Sequence, residues 1–409
     1  MIIILLMKQI SRASGGLSSA LDLAETMFAL KHDIYLCVSS ASSPWRKKQN
    51  TTIPQNKIRE IPSSYSRVGK VVDKSLISIF NDKKSSARAR INRTLRFFRR
   101  NRTEQDFERL LKQADLIFDF ENFTAEAINK IRFFSKAKLV RNHAGAPDTF
   151  ENYWVRNEHL DVPQETSGAR YVEYCKRYDL LLFQAEDQAF ECAKRDPLLR
   201  SKCYVLSPSC SEMDVLAADQ LPSPYQPEKK IIVAVGSLQQ RKAQHDTLEV
   251  FKWVHQKVPS VELHFVGGNE KTEYGKNLIS SARQMGLESV VFLHGFQADY
   301  LRWMAHANVI IQTSLSEGVS RVLRESMLMH LPIVSFSISG TKSILRTGQD
   351  ALLFEPGDFQ GMSSAISLLL SDNFVSQSIS KSAFDRYLLN HSCAKYAFSV
   401  NQMISNFRQ

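Results

Sequence analysis

The chain has 409 residues, a length that suits two domains of about 200 residues each. Hydrophobic residues make up 43% and charged residues 23%, which excludes a disordered or fibrous chain. The net charge of +11 favours an anionic partner, which could be a nucleotide, a phospholipid head group or a nucleic acid.

The apolar N-terminus, residues 1–7, predicts a buried first strand, because it is too short for a signal peptide or a membrane span. No other run approaches about 18 uninterrupted apolar residues, so we expect no transmembrane helix. The cysteines lack the spacing of a zinc site or a disulfide framework, and we expect reduced thiols. These features predict a cytoplasmic protein, with a peripheral position on the inner face of the membrane as an alternative.

Apolar, β-rich runs alternate with helical segments in both halves of the chain, which indicates parallel sheets covered by helices. The predicted strands are 2–6, 34–38, 116–118, 139–141 and 180–183 in the first half and 231–235, 263–266, 290–293, 309–311 and 333–336 in the second. Most runs are continuously apolar, as expected for strands buried on both faces. The predicted fold class is therefore α/β, with two Rossmann-like, doubly wound domains that face a shared crevice.

The predicted boundaries are an N-terminal domain at 1–206, a linker at 207–228, a C-terminal domain at 229–390 and a last helix within 391–409. The linker is assigned because prolines lie there among polar residues. We expect the last helix to pack back on the N-terminal domain. Ligands of open α/β sheets bind at the carboxyl ends of the strands, so functional residues are expected in the strand-to-helix loops.

The most informative loop is 316–325, Ser-Glu-Gly-Val-Ser-Arg-Val-Leu-Arg-Glu, which follows a predicted strand and opens a helix. Ser320 is a suitable N-cap, and the first helical turn would offer backbone N–H groups to a phosphate. The carboxylates of Glu317 and Glu325 could accept hydrogen bonds from different hydroxyls of one long ligand. The alternative is an ordinary helix whose early glutamates favour its dipole.

A second loop, Gly236-Ser237-Leu238-Gln239-Gln240-Arg241-Lys242, places two cations after a predicted strand. Fixed cations there suit a diphosphate, because they offset the charge that grows as a leaving group departs. The alternative for Arg241 and Lys242 is solvated surface.

Two weaker signals lie in the first half. Gly15 and Gly16 follow the first strand and would let a backbone approach a phosphate or sugar, although a turn explains them equally well. The loop lacks the Gly-x-Gly-x-x-Gly spacing of nicotinamide dehydrogenases. His143 follows the strand 139–141 on the crevice side, with a structural role as its alternative. The pair Asp119-x-Glu121 is too generic to support a Mg²⁺ site.

A basic strip, residues 83–102, carries nine cations and no acidic residue. At helical spacing the apolar Ile91, Leu95 and Phe98 fall near one face, which is typical of a helix lying on an anionic membrane. A solvated helix or loop packed on the first domain is the alternative. Nucleic-acid binding is disfavoured, because no recognised motif accompanies the strip.

Together these segments resemble the family 4 glycosyltransferases, which are retaining enzymes of GT-B fold, most strongly over about 230–372. Glu317 and Glu325 match the Glu-x7-Glu pattern of that family, and the segment 349–358 resembles a later family segment. The resemblance implies contact of Glu317 with the transferred sugar and of Glu325 with the ribose. It implies catalytic roles for Glu317, His143, Arg241 and Lys242, and donor binding by Gly15, Gly16, Gly236, Ser237, Arg241, Lys242, Gly318, Val319, Ser320 and Glu325.

The resemblance further implies transfer of a hexose-type sugar from a nucleotide-sugar donor without a metal, a UDP-sugar being favoured over a GDP-sugar. The acceptor would be a glycan or lipid-linked, in surface polysaccharide or glycolipid synthesis, and no nucleic acid is expected. A GT-B protein that binds a nucleotide sugar without transferring it is an alternative. The sequence departs from the family at Ser237, where many relatives have arginine, at Ala243, where glycine is usual, and at 340–342, which lacks an acidic residue.

Overall fold

The computed structural model describes residues 1–7, 15–39, 52–61, 103–120, 125–143 and 171–407. Within these residues the strands form a seven-stranded and a six-stranded sheet, and the strand pairs are parallel. The prediction of two doubly wound α/β domains is confirmed. The basic strip 83–102 lies outside the described residues, so its contact with an anionic membrane stays a prediction.

The first sheet has the strand order β3-β2-β1-β4-β5-β6-β7. Its strands are β1 Ile2–Met7, β2 Asp33–Ser39, β3 Ile58–Ile61, β4 Leu116–Asp119, β5 Lys138–His143, β6 Leu180–Phe183 and β7 Cys203–Val205. The described helices around it are Gly15–Ala29, 103–113, Ala125–Phe134, 171–176, Glu186–Arg195 and Pro197–Arg200. The order reverses between β1 and β4, and such a switch point opens a crevice at the carboxyl edge of a sheet.

The second sheet has the order β10-β9-β8-β11-β12-β13. Its strands are β8 Lys230–Val235, β9 Val261–Val266, β10 Val291–Leu293, β11 Val309–Gln312, β12 Ile333–Phe336 and β13 Leu352–Phe354. The helices that cover it are Gln244–Lys257, Glu273–Gln284, Tyr300–Ala305, Arg321–Leu328, Ser339–Lys342, Phe359–Ser371 and Asn373–Asn390. Here the order reverses between β8 and β11, the two strands that precede the loops singled out in the sequence.

The chain crosses between the two domains twice, at the crossing segments 207–212 and 387–393. The first crossing continues into the helix Glu212–Asp219, which the prolines of this stretch had not indicated. The Ser207 hydroxyl lies 3.1 Å from Nδ1 of His391, and Oε1 of Glu212 accepts a 2.8 Å hydrogen bond from the backbone of Cys393. These contacts tie the two crossings to each other.

The last helix, Cys393–Asn406, begins after the N-cap Ser392, whose hydroxyl accepts from the backbone N–H of Lys395. Its apolar side chains are buried in the core of the first domain against β1 and the helix Gly15–Ala29, through Tyr396, Val400, Met403 and Ile404. Within the described residues, no helix is both long and apolar enough to cross a bilayer.

Candidate functional site

A cavity of about 350 Å³ lies between the two sheets. One wall is the helix Glu186–Arg195, which follows β6, and the other consists of the loops that follow β11 and β12. The first wall contributes Asp187, Gln188, Glu191 and Arg195, and the second contributes Leu315, Ser316, Glu317, Ile338, Ser339 and Gly340. The cavity therefore lies where the sequence places the crevice, at the carboxyl ends of strands from both sheets.

Glu317 is the charged centre of the second wall. Its Oε1 lies 2.5 Å from Nζ of Lys242, and its Oε2 lies 3.3 Å from the guanidinium of Arg241. Arg241 also donates to the carbonyl of Ser316. Burial raises the pKa of the Glu317 carboxyl, but the charge and hydrogen bond of Lys242 outweigh burial, and the net pKa is lowered. Glu317 is therefore ionised at neutral pH and holds both cations beside itself. Glu317 lines the cavity, whereas Arg241 and Lys242 are not among its lining residues.

Further hydrogen bonds join the loop that carries the cations to the loop that carries Glu317. The backbone N–H of Leu315 donates to the carbonyl of Arg241 at 2.9 Å, and the Thr313 hydroxyl donates to the carbonyl of Ala243 at 2.9 Å. A Cβ added at Gly340 would collide with the carbonyl oxygens of Glu317 and Gly318. The position of Glu317 is thus fixed from two sides, by the cation loop and by close backbone packing at Gly340.

Ala243, which stands where glycine is usual in the family, keeps the backbone conformation that glycine favours. It has φ 47° and ψ 47°, a left-handed conformation that glycine adopts without steric cost. The backbone shape for which glycine is usual is thus retained with alanine in its place, and the 3₁₀ turn Gln240–Lys242 ends there.

The remaining residues of the two predicted loops differ in exposure. Gly236 directly follows β8 and has φ +154°, and Ser237 after it is exposed. Val319 is buried, and the Ser320 hydroxyl donates to Oε1 of Gln312 at 2.7 Å and accepts from the backbone of Leu323. The N-cap prediction for Ser320 is confirmed. Gly318 has no side chain, and the side chains of Val319 and Ser320 are directed into the protein. Residues 318–320 would therefore contact a ligand through their backbone.

Glu325 lies in the second turn of the helix Arg321–Leu328 and is fully buried. Its Oε1 accepts from the Tyr300 hydroxyl at 2.6 Å and from Nε of Arg321 at 2.7 Å. Its Oε2 has no hydrogen-bond partner among the described residues. Burial raises the pKa of this carboxyl against the opposing effect of Arg321. Glu325 does not line the cavity.

The first-domain candidates lie away from the described walls of the cavity. His143 ends β5 with 1% of its surface exposed, stacked on the ring of Phe183 at 4.5 Å. Burial, with a smaller effect of Arg141, holds the pKa of His143 well below its usual value, so its ring is neutral. Gly15 and Gly16 form the first turn of the helix that follows β1.

The acidic pair in the first domain is only half described, since residue 121 lies outside the described ranges. The carboxylate of Asp119 is buried and accepts a 2.5 Å hydrogen bond from Tyr178. No group of three or more metal-ligating side chains was found in the part of the chain that the structure describes.

The first wall of the cavity was not predicted from the sequence. Asp187, Glu191 and Arg195 recur at i, i+4 and i+8 of a helix that begins directly after β6, so they share one face. Polar residues at that spacing after a strand's carboxyl end are the signal that could have indicated them. It is weak, because an ordinary solvent-facing helix shows the same pattern.

Comparison with known proteins finds similarity to glycosyl transferases in the second half of the chain. Residues 229–372 match the family model described as Glycosyl transferases group 1. Lipopolysaccharide core biosynthesis glycosyltransferase LpsE of Rhizobium meliloti is 26% identical over 159 residues, which are 39% of this chain and 45% of LpsE. The chain spans about half the length of the first curated relatives that it matches.

Solved structures are similar over nearly the whole chain. HepE of Anabaena in complex with UDP and glucose has a TM-score of 0.70 at 16% identity, over 98% of this chain and 99% of HepE. A mutant of S. aureus TarM in complex with Fondaparinux, alpha-GlcNAc-glycerol and UDP has a TM-score of 0.69 at 11% identity, over 100% of both chains. The fold is GT-B. In this GT-B chain, the matched stretch 229–372 contains Arg241, Lys242, Glu317 and Glu325, whereas Asp187 and its neighbours lie outside it.

Proposed function

We propose that the chain is a retaining glycosyltransferase that transfers a hexose-type sugar from a UDP-sugar to a glycan or lipid-linked acceptor. The observation that carries the proposal is the cluster of Lys242, Glu317 and Arg241 at the cavity, within the stretch similar to group 1 glycosyl transferases. The name of LpsE supports a role in surface polysaccharide or glycolipid synthesis, and the UDP in the HepE and TarM complexes supports the choice of donor.

In this proposal the two domains divide the substrates. The C-terminal domain, 229–390, binds the donor, and the N-terminal domain, 1–206, binds the acceptor. The linker 207–228 and the last helix in 391–409 connect them. Closure of the domains over the cavity excludes water, which otherwise competes with the acceptor and turns transfer into hydrolysis.

The chemistry assigned to the cations follows from the charge of the leaving group. When the bond between the anomeric carbon and the donor diphosphate breaks, negative charge grows on the diphosphate. Lys242 and Arg241 stabilise that charge, because both are held beside Glu317 in fixed positions before the reaction. Glu317 orients them and accepts a hydrogen bond from a hydroxyl of the transferred sugar.

Turnover tests the cation assignment. A thermal-shift screen against UDP-, GDP- and ADP-sugars first identifies the donor, because a ligand of the native state raises its apparent stability. With that donor at saturation, Lys242→Ala is expected to lower the rate of nucleotide release by about 100-fold, the scale of losing one preorganised stabilising group. Lys276→Ala, on an exposed helical surface, is the control and keeps the parent rate.

Two outcomes would contradict this account. Full turnover of a folded Lys242→Ala variant would show that the cation loop is not at the leaving group. A donor that stabilises the parent chain without nucleotide release, in the presence of varied acceptors, would indicate a binding protein without transferase activity.

Glu325 is proposed to bind the ribose of the donor through Oε2, since Oε1 is occupied by Tyr300 and Arg321. Replacement by alanine should weaken UDP binding by about 1.5–3 kcal/mol, the range for a hydrogen bond to a charged group. Calorimetry measures the affinity. Tyr300→Phe is the matched control, because it removes only an Oε1 partner, and it should bind UDP as the parent does. Equal losses in both variants would point to a change of packing instead.

A further inference from the structure

We propose that Asp187 and Gln188 form an acceptor subsite for a neutral, hydroxyl-bearing sugar unit, and that the acidic wall around them excludes a phosphorylated one. The inference rests on the proposed function and extends it to the chemistry of the acceptor. It concerns the wall of the cavity that the first domain supplies, outside the stretch that matches the group 1 family model.

Two buried polar atoms on this wall, one acceptor and one donor, have no hydrogen-bond partner among the described residues. Oδ2 of Asp187 accepts a hydrogen bond from the Ser339 hydroxyl across the cavity, while its Oδ1 is buried without a partner among the described residues. Gln188 is 1% exposed, and its Oε1 accepts from the backbone of Gln184 at 3.4 Å. Its Nε2 is likewise buried without a partner among the residues that the structure describes. A buried donor and a buried acceptor left unpaired are costly, so a ligand that satisfies both gains affinity.

A hydroxyl is the group that meets both requirements. It donates one hydrogen bond, which suits the carboxylate oxygen of Asp187, and it accepts others, which suits the amide of Gln188. An ionised phosphate presents acceptor oxygens alone and would leave Asp187 Oδ1 facing another anion. A neutral hydroxyl therefore complements Asp187 and Gln188 better than a phosphate does.

The charges around the subsite favour the same choice. Glu191 lies one turn after Asp187 on the same wall, and Glu317 faces them from the other domain. Of the cations nearby, Lys242 and Arg241 are paired with Glu317, and Arg195 donates to the carbonyl of Glu191 at 2.7 Å and lies over the ring of Tyr171. Arg195 lines the same wall, so Asp187 and Glu191 place two carboxylates there against one guanidinium and leave a net negative charge. A phosphate here would be repelled by two carboxylates on its own wall.

The size of the cavity limits the ligand to a small unit. Its volume of about 350 Å³ is near the lower end of the range of roughly 300–1,000 Å³ for small-molecule pockets. One sugar unit of the acceptor at the Asp187 wall and the transferred sugar at Glu317 would share that space, with the rest of the acceptor extending outside the cavity. Asp187 and Gln188 belong to the first domain, and they face the loops after β11 and β12, which the second domain supplies to the donor site.

The test is ligand-observed saturation-transfer NMR on the full chain with UDP present. The probes are the methyl glycosides of glucose, galactose, mannose and N-acetylglucosamine, together with glucose 6-phosphate. We expect signals from at least one methyl glycoside and none from glucose 6-phosphate. Asp187→Ala should reduce the glycoside signal at least fivefold, whereas Glu186→Gln, on the exposed side of the same helix, should leave it unchanged.

A gain of function sharpens the test. The double variant Asp187→Asn with Glu191→Gln removes the negative charge of the wall, keeps its size and should admit glucose 6-phosphate. Absence of glycoside binding by the parent chain, an unaltered signal in Asp187→Ala, or phosphate binding by the parent chain would each overturn the inference.

Separate measurements distinguish the acceptor subsite from the donor site and from the proposed function. Affinity for UDP and for the donor sugar nucleotide, measured by calorimetry, should be equal in Asp187→Ala and the parent chain. Weaker binding of the sugar nucleotide alone would assign these atoms to the transferred sugar and overturn the inference. If the parent chain binds a glycoside yet releases no nucleotide from any donor, the proposed function fails while the subsite stands.

Discussion

Lys31 closes the helix Gly15–Ala29 in a conformation that favours glycine. Its φ is +67°. Its backbone N–H donates to the carbonyl of Phe28, and the backbone N–H of His32 donates to the carbonyl of Met27. This hydrogen-bond pattern is the Schellman motif, in which glycine is the usual residue at the left-handed position. Gly286 and His330 have positive φ in the same pattern at two later helix ends.

We predict that Lys31→Gly stabilises the protein by about 1 kcal/mol. Relief of the left-handed conformation, roughly 1–2 kcal/mol for an L-residue, exceeds the added entropy of glycine in the unfolded chain. Urea denaturation measures the change. Lys31→Ala is the control, since it removes the same exposed side chain and keeps a Cβ, and it should match the parent within about 0.5 kcal/mol. A destabilised glycine variant would contradict the argument.

At the residue scale the sequence located Glu317, Arg241 and Lys242 but not their mutual contacts. Lys242 and Glu317 are 75 positions apart and meet because β8 and β11 are neighbours in the sheet. Strand order follows from the packing of the whole domain, so local pattern cannot provide it. The wall at Asp187 was missed for a related reason, since it belongs to the site only through the arrangement of two domains.

At the element scale, Asp350 holds the helix Asn373–Asn390 against the loop before β13. It is fully buried, and its oxygens accept from Nε and Nη2 of Arg346 at 2.7 and 2.8 Å and from the Ser382 hydroxyl at 2.9 Å. Burial raises the pKa of Asp350, but the hydrogen bonds from Arg346 and Ser382 outweigh burial and the net pKa is lowered. Asp350 therefore stabilises the fold in its ionised form.

We predict that Asp350→Asn destabilises the protein at pH 7 by about 2–3 kcal/mol, because buried charged hydrogen bonds lose their acceptor. A carboxyl whose pKa is lowered on folding contributes stability above its ordinary pKa, and this is lost as pH falls through the folded value. The difference between parent and variant should therefore shrink between pH 5 and about pH 2. Chemical denaturation along that series measures it.

Asp385→Asn provides the control for this series, because Asp385 is exposed and paired with Lys381 on the helix surface. Exposed pairs contribute at most about 1 kcal/mol, so this variant should stay close to the parent at every pH. A difference for Asp350→Asn that does not vary with pH would show that its carboxylate charge is not what stabilises the loop.

The elements that the sequence predicted well are the continuously apolar strands. β6 and β12 have the predicted bounds, and the other predicted strands differ by one or two residues at an end. Three strands were not predicted: β3, β7 and β13, which have three or four residues and lie at sheet edges. Strands of this length have too few residues to show a period, so their prediction from sequence is uneven, and β6 and β12 of the same length were predicted with their bounds.

At the scale of the whole molecule, the last helix completes the core of the first domain. We predict that Ile404→Ala, which truncates a side chain 1% exposed, destabilises that domain by about 2–4 kcal/mol. Phe398→Ala on the same helix is the control, because Phe398 is 56% exposed and its loss should cost within about 0.5 kcal/mol. Thermal unfolding measures both, and equal melting temperatures would refute the packing.

Contacts across the domains were the part of the fold that the sequence could not indicate. Arg324 is buried and donates to the carbonyl of Ser209 in the first crossing segment, and Val215 of the helix Glu212–Asp219 packs in one cluster with Leu323 and Met327. These partners are more than 100 positions apart, so no local period relates them. The first crossing is thus anchored to the helix that carries Glu325.

The position of the last helix determines when the first domain can finish folding during synthesis. The ribosome finishes the strands of the first sheet at Val205, yet the helix that covers Leu21 and Met27 is made only after the entire second sheet. At about 5–20 residues per second, the roughly 200 intervening residues take on the order of 10–40 s. During that interval the nascent first domain exposes an apolar face, and its folding ends only when the helix Cys393–Asn406 has left the ribosome.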